Sequence, residues 1–454
     1  MEALVPFDRT GRGVAGRLTA ALRTAIEQER LAAGARLPSS RELAADLGLS
    51  RGVVVEAYEQ LIAEGRLVAR RGSGTIVAAS VHTRQAAAAD PFVAAGLRPL
   101  RPGIPDLGLF PRAAWRRAYD RMVTTVRDAD LDYGDPAGPM AVREQLAAYL
   151  GRVRAARLTA ADLTVTAGAA QAFALLGRVL SADGHRTVAM EEPGSRGVRE
   201  QLAHALDVLP VPVDDDGLDV GALERTRARA VVVTPAHQFP TGVVLAPARR
   251  AALIAWARRT GGLIIEDDYD AEFRYDREPV GCVQGVAPDV TVYIGSASKA
   301  LAPALRLGWL SAPPRHLSRV RVHKRSIDLG GPILEQYAFA DLLATGGYDR
   351  HLRRARRAYR TRRDALVSAL DRHFPGRPVH GVAAGLHLVL ALPPGADDAA
   401  LAAAAAARGL GPVALSACRL TEGPPGLVLG YAAHTADELA EAVAVLARIN
   451  RELP

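Results

Sequence analysis

The sequence predicts an α/β chain in two parts: a short helical front closed by a β-hairpin, then a mostly parallel sheet with helices on both faces. Three observations point there. The 454 residues exceed what one ordinary hydrophobic core organises, so more than one domain is expected. Before residue 80, helix-like segments meet at glycine turns and give way to two short β-like runs. Beyond about residue 103, apolar runs alternate with helical segments, the pattern of strands buried on both faces.

The front part reads element by element. Gly16 to Arg30 places Leu18, Leu22 and Ile26 at helical spacing. Ser39-Ser40-Arg41-Glu42 is a capping box, with Ser39 as N-cap and Glu42 at N3, opening a helix through Leu47. Gly48-Leu49 makes a tight turn, and Ser50 caps a third helix, Arg51 to Ala63. Two β-like runs, Arg66 to Arg70 and Thr75 to Ala78, flank Arg71-Gly72-Ser73-Gly74. Helix, glycine turn, helix and glycine hairpin is the order of a winged helix-turn-helix, which binds double-stranded DNA. Residues 1–79 are assigned to it. Its expected DNA contacts are Ser50 and Arg51 in the first turn of the recognition helix, Arg41 near the sugar-phosphate edge, and Arg70, Arg71 and Ser73 in the wing.

Residues 80–102, rich in Ala, Pro and Gly without strong periodicity, are expected to be a linker. Residues 103–454 carry the alternating pattern: Leu163 to Thr166, Thr187 to Met190, Ala230 to Thr234 and Leu263 to Ile265 as strands. Met140 to Leu150, Ala169 to Leu180 and Ala248 to Thr260 are the intervening helices. From about 345 a long basic helix, His351 to Arg363, opens a smaller α+β subdomain; its arginines are expected to form a solvated or inter-domain face, the alternative being a second phosphate-contacting surface.

Composition narrows the class. A hydrophobic fraction of 49% with 23% charged residues is that of a soluble globular protein. No run reaches the roughly 18 apolar residues of a membrane helix, and the N-terminus has no signal-peptide order, so a cytoplasmic protein is expected. Cys282 and Cys418 cannot form a disulfide framework, and no metal site is expected. The net charge of +8 permits nucleic-acid binding without requiring it.

One compositional detail bears on chemistry. Of 57 basic residues only Lys299 and Lys324 are lysines. Where arginine replaces lysine almost everywhere, a retained lysine marks a position that can need a primary amine, the group able to form an imine. Ser296-Ala297-Ser298-Lys299 with Arg306 places hydroxyls and a cation near such an amine, as a phosphorylated aldehyde requires. Thr166 to Gln171, with Gly168 and Ala169 at a strand-to-helix turn, offers a phosphate cup of backbone N–H groups. Glu266-Asp267-Asp268-Tyr269-Asp270 supplies carboxylates at a strand end, where one can hold a pyridine nitrogen protonated.

These words carry two resemblances. LPSSRELAADLGLSRGVVVEAYEQLIAEGRL and RRGSGTIV resemble the winged helix-turn-helix of GntR-like bacterial repressors, with Val53 where that family often has Thr. PDLGLFP, DYGDPAGP, TPAHQFPTG, EDDYDAEFRY, SASKALAPALRLGWL and GLHLVL resemble fold-type I aminotransferases over roughly residues 100 to 454. The whole chain looks like the MocR-type regulators, which fuse the two. The resemblance implies pyridoxal 5'-phosphate (PLP) as an imine on Lys299, Asp267 (or the adjacent Asp268) at the pyridine nitrogen and Tyr269 at the phenolic oxygen. It further implies phosphate contacts from Gly168, Ala169, Ser296 and Arg306, with Ser298 also at the cofactor and His237, Gln238 and Phe239 walling the pocket. It also implies a homodimer.

Two departures stand out. EEPG is followed by Ser195 where the family often has an aromatic, and Val428-Leu429-Gly430-Tyr431 lacks the arginine that forks a substrate carboxylate. Arg196 and Arg419 are candidate substitutes. The expected function is therefore a DNA-binding transcriptional regulator whose aminotransferase-like domain senses an effector, PLP or an amino compound, with vitamin B6 or amino-compound metabolism genes as the expected targets. The alternative is a working PLP-dependent aminotransferase with an attached DNA module, although the missing arginine argues against efficient turnover.

Overall fold

The computed structural model describes residues 13–28, 30–70, 74–78, 98–275, 280–381 and 383–453, in two compact units, Met1–Ala95 and Gly96–Pro454. In the first unit, helices α1 (Val14–Glu27), α2 (Ser40–Leu47) and α3 (Arg51–Ala63) precede a hairpin of β1 (Leu67–Arg70) and β2 (Gly74–Val77). Ser39 caps α2 as a full capping box: Glu42 N–H donates to its hydroxyl at 3.3 Å, and its own N–H donates to the Glu42 carboxylate at 2.8 Å. Gly48, at φ +66°, turns the chain into α3 in a conformation that favours glycine. Ser50 holds the N-cap position of α3, but its side chain makes no capping hydrogen bond. Leu18, Leu22, Leu43, Val54, Leu61 and Val77 close the core of this unit.

The second unit is built on an eight-stranded sheet. Its strands are β3 (Leu163–Thr166), β4 (Thr187–Glu192), β5 (Asp207–Asp214), β6 (Gly217–Leu218), β7 (Ala230–Val233), β8 (Leu263–Asp268), β9 (Thr291–Ser296) and β10 (Gly308–Ser311). Their order is β3-β10-β9-β8-β7-β4-β5-β6. The ladders β9-β8-β7-β4-β5 are parallel, whereas β10 runs antiparallel to both neighbours. Helices α4 (Arg112–Thr125), α5 (Met140–Arg154), α6 (Ala169–Ala182), α7 (Arg196–Ala203), α8 (Val220–Glu224), α9 (Pro247–Thr260), α10 (Pro314–Asp328) and α11 (Ile333–Ala344) accompany it. Strand alternation sends Ile265 into one core with Phe173 and Leu176, and Ile264 into the opposite core with Leu253 and Trp256.

Helix α12 (Gly347–His373) leads to a four-stranded antiparallel sheet, β11 (Val379–His380), β12 (His387–Ala391), β13 (Val413–Ala414) and β14 (Gly426–Gly430), with α13 (Asp398–Ala407) and α14 (Ala436–Glu452). The basic run of α12 is largely spent within its own unit. Arg354, Arg356, Arg360 and Arg362 donate to the carbonyls of Leu109, Glu272, Tyr275 and Ala432. The expected solvated face holds for Arg354 and Arg360, which stay exposed, and not for the half-buried Arg356 and Arg362. Among the described residues no helix is long and apolar enough to cross a membrane.

Candidate cofactor and DNA sites

Strand β8 sorts the acidic residues by face. Glu266 accepts from the Val283 and Gln284 N–H groups at 2.9 and 3.0 Å. Asp268, on the same face, takes a two-pronged contact from Arg154 at 2.7 and 3.0 Å and the hydroxyl of Tyr293. Asp267 points the other way and lines a cavity of about 360 Å³. Of the two adjacent carboxylates, only Asp267 faces that space. One of its oxygens is buried with no hydrogen-bond partner among the described residues. Burial, reinforced by the neighbouring Asp268 and Asp270, pushes its carboxyl up to about 7.

Tyr269 continues past the strand end and also lines the cavity. Its hydroxyl lies 3.0 Å from Nδ1 of His237, which is equally 3.0 Å from Asp270. Burial first, then Asp270, raises the phenol well above its ordinary value, so it stays protonated and able to donate. His237 was expected on the pocket wall; the structure places it behind Tyr269, buried, where it orients that hydroxyl. Gln238 is likewise spent on backbone and buried groups, including the carbonyls of Pro193 and Phe239, while Phe239 does line the cavity.

Lys299 follows β9 on the cavity wall, with Nζ donating to the carbonyl of Gly103 at 2.6 Å. Burial lowers its pKa, against the opposing pull of Asp270 and Asp267. A lowered lysine is neutral in a larger fraction near neutral pH, and the neutral amine is the form that attacks an aldehyde. Lys324, the other lysine, is buried in an ion pair with Asp328 at 2.8 Å and is absent from the lining.

The phosphate-sized end is built by backbone. Gly168 stands at φ +80° before the first residue of α6, whose opening N–H groups have no helical acceptors. A Cβ at Gly168 would lie 2.6 Å from Nη2 of Arg306. Arg306, itself at φ +49°, donates through Nη2 to the carbonyl of Ala167 at 2.6 Å. Ala169, Ser296, Ser298 and Arg306 all line the cavity. Val428 is buried with Val389, Leu415 and Cys418. Arg196 is exposed and paired with Glu200, and neither it nor Arg419 lines the cavity, so the suggested substitutes do not reach it.

In the first unit Arg41, Ser50 and Arg51 are exposed at the starts of α2 and α3. Arg51 approaches the Ser40 hydroxyl at 3.4 Å, leaving most of its donors open. Arg71, Ser73 and the side chain of Arg70 lie outside the described residues. Several residues of the cavity were not singled out from sequence, among them Gly103, Phe173, Gln201 and His387. Gly103 carries only the weak signal of an isolated glycine after a proline, and His387 is one polar residue inside the apolar word GLHLVL.

A winged helix-turn-helix unit joined to a sheet with a cavity-lining lysine and an anion cup defines a regulator with an enzyme-like domain. Residues 15–77 match the family of bacterial regulatory proteins, gntR family, and residues 107–446 match aminotransferase class I and II. The HTH-type pyridoxine biosynthesis transcriptional regulator PdxR of Corynebacterium glutamicum is 34% identical over 448 residues, covering 96% of this chain and 95% of the relative. The probable rhizopine catabolism regulatory protein MocR of Rhizobium meliloti is 32% identical over 440 residues, covering 90% and 88%. An archaeal alanine:glyoxylate aminotransferase superposes with a TM-score of 0.73 at 27% identity, over 80% of this chain and 92% of its own. LysN of Thermus thermophilus, an α-aminoadipate aminotransferase solved with N-(5'-phosphopyridoxyl)-L-leucine, gives 0.72 at 27%, over 78% and 92%. The chain belongs to the MocR-type transcriptional regulators, with a GntR-family helix-turn-helix and an aminotransferase class I and II domain.

Proposed function

We propose that this regulator holds PLP on Lys299 and that occupancy of the cavity changes how its helix-turn-helix grips an operator. The observation that carries the reading is a half-buried lysine of lowered pKa sharing one cavity with Asp267 and the Gly168–Arg306 cup. The residues fit the group. A ring nitrogen would meet the unpartnered Asp267 oxygen, a phenolic oxygen the Tyr269 hydroxyl, and a phosphate the N–H groups after Gly168 with Ala169, Ser296, Ser298 and Arg306. The bound aldehyde supplies an electrophilic carbon and an electron-withdrawing ring; the protein supplies the neutral amine, the carboxylate and the anion cup. His237 and Asp270 hold the Tyr269 hydroxyl in place. Arg41, Ser50 and Arg51 meet the DNA, with Arg70, Arg71 and Ser73 as further contacts.

The name of the Corynebacterium relative, a pyridoxine biosynthesis regulator, supports vitamin B6 genes as the target; on this reading PLP itself is the effector. The absence of an arginine at Val428 supports sensing over turnover of α-amino acids. A homodimer is supported by exposed Leu131, Tyr133, Met140 and Leu329, which surround one groove. Borohydride treatment of PLP-incubated protein tests the cofactor assignment: a pyridoxyl mass is expected on the peptide bearing Lys299. An unmodified peptide removes the proposal's foundation.

A further inference from the structure

Cofactor groups account for only part of the cavity wall. Beyond the residues assigned to PLP, the lining offers Phe173, Val198, Phe239 and Leu386 as apolar surface, and Ser195, Gln201 and His387 as neutral polar groups. Among the described lining residues Arg306 is the one guanidinium, and it is assigned to the phosphate. A carboxylate placed against these groups would lose water without gaining a charged partner from the described lining, which is unfavourable.

His387 gives this region its direction. It is 1% exposed, with its ring 5.0 Å from Phe239 and 5.3 Å from His237. Nε2 lies 3.2 Å from the carbonyl of Pro240. A carbonyl only accepts, so Nε2 carries the hydrogen, and Nδ1 of the neutral ring is left as an acceptor. Burial, with His237 beside it, holds the imidazole down at about 3, so it cannot replace a guanidinium.

Resting on the reading of Lys299 as the cofactor lysine, we propose that the cavity selects primary amines ending in a neutral hydrogen-bond donor over α-amino acids, with His387 setting that choice. Arg101, felt at Lys299 as a positive charge but outside the lining, is the cation that a carboxylate would have to recruit.

The test uses PLP-loaded full-length protein, with loading established first by the pyridoxyl mass so that failure of the cofactor reading is seen separately. Three probes of similar size, 2-aminoethanol, propylamine and glycine, are titrated, reading the absorbance of the bound cofactor and the unfolding midpoint. 2-Aminoethanol is expected to bind roughly threefold to tenfold tighter than propylamine, the range of one net hydrogen bond, and glycine weakest. His387→Phe, loaded to the same extent, should erase the difference between the two amines, and His387→Asn, which keeps an acceptor, should restore part of it. Equal binding of 2-aminoethanol and propylamine, glycine binding as tightly as 2-aminoethanol, or an undiminished preference in His387→Phe each overturns the proposal.

Discussion

At the scale of single residues, burial shifts Lys299 and Asp267 in opposite directions, each towards its neutral form. Because the lysine is lowered below its ordinary 10.5, the neutral amine predominates at a lower pH than in a free lysine. The rate of PLP capture should therefore rise with pH and reach half its plateau below 10.5, as stopped-flow absorbance would show; a half-point at or above that value contradicts the assignment. Asp267 is shifted the other way, from 3.8 to about 7. Its folded form holds a proton that the unfolded chain has lost, so its contribution to stability falls as pH rises through that window. In PLP-free protein, the stability of wild type relative to Asp267→Asn should drop between pH 4 and 7, measured by urea unfolding. Gly168→Ala places a Cβ against Arg306 at φ +80°. A loss of about 1–3 kcal/mol in stability is expected, with weaker PLP binding.

At the scale of elements, strand β8 shows how alternation separates chemistry from support. Its even face commits Asp268 to Arg154 in an ion pair whose side chains are 4% and 2% exposed. Arg154→Met leaves that carboxylate buried and unpaired and should cost about 3–5 kcal/mol in urea unfolding; a loss under 1 kcal/mol would show the pair to be incidental. In the first unit, Ser39→Ala removes the capping box of α2 and should cost about 1 kcal/mol. Elements that announce themselves locally were legible in the sequence: the Ser39–Glu42 box, the glycine turn at Gly48, and β3 from Leu163 to Thr166. The choice between Asp267 and Asp268 was not legible, because nothing in an acidic run says which residue faces the ligand until the strand's neighbours are known. His237 was misplaced for the same reason. The family resemblance implied a pocket wall, and only the contact of its Nδ1 with the Tyr269 hydroxyl shows a supporting role. The arginines of α12 read as solvated because their acceptors are carbonyls from Leu109 to Ala432, too distant in sequence to anticipate.

At the scale of the whole molecule, two units with separate cores are joined in one chain, and regulation requires that the state of one alters the affinity of the other. PLP can act as effector only if the DNA-competent and DNA-incompetent states bind it differently. The most direct measurement is operator affinity by fluorescence anisotropy at fixed salt, with and without PLP, for wild type and Lys299→Ala. A severalfold or larger shift is predicted for wild type, with none for the variant, whose DNA affinity stays at the PLP-free level. Identical curves for wild type in both conditions would contradict the account.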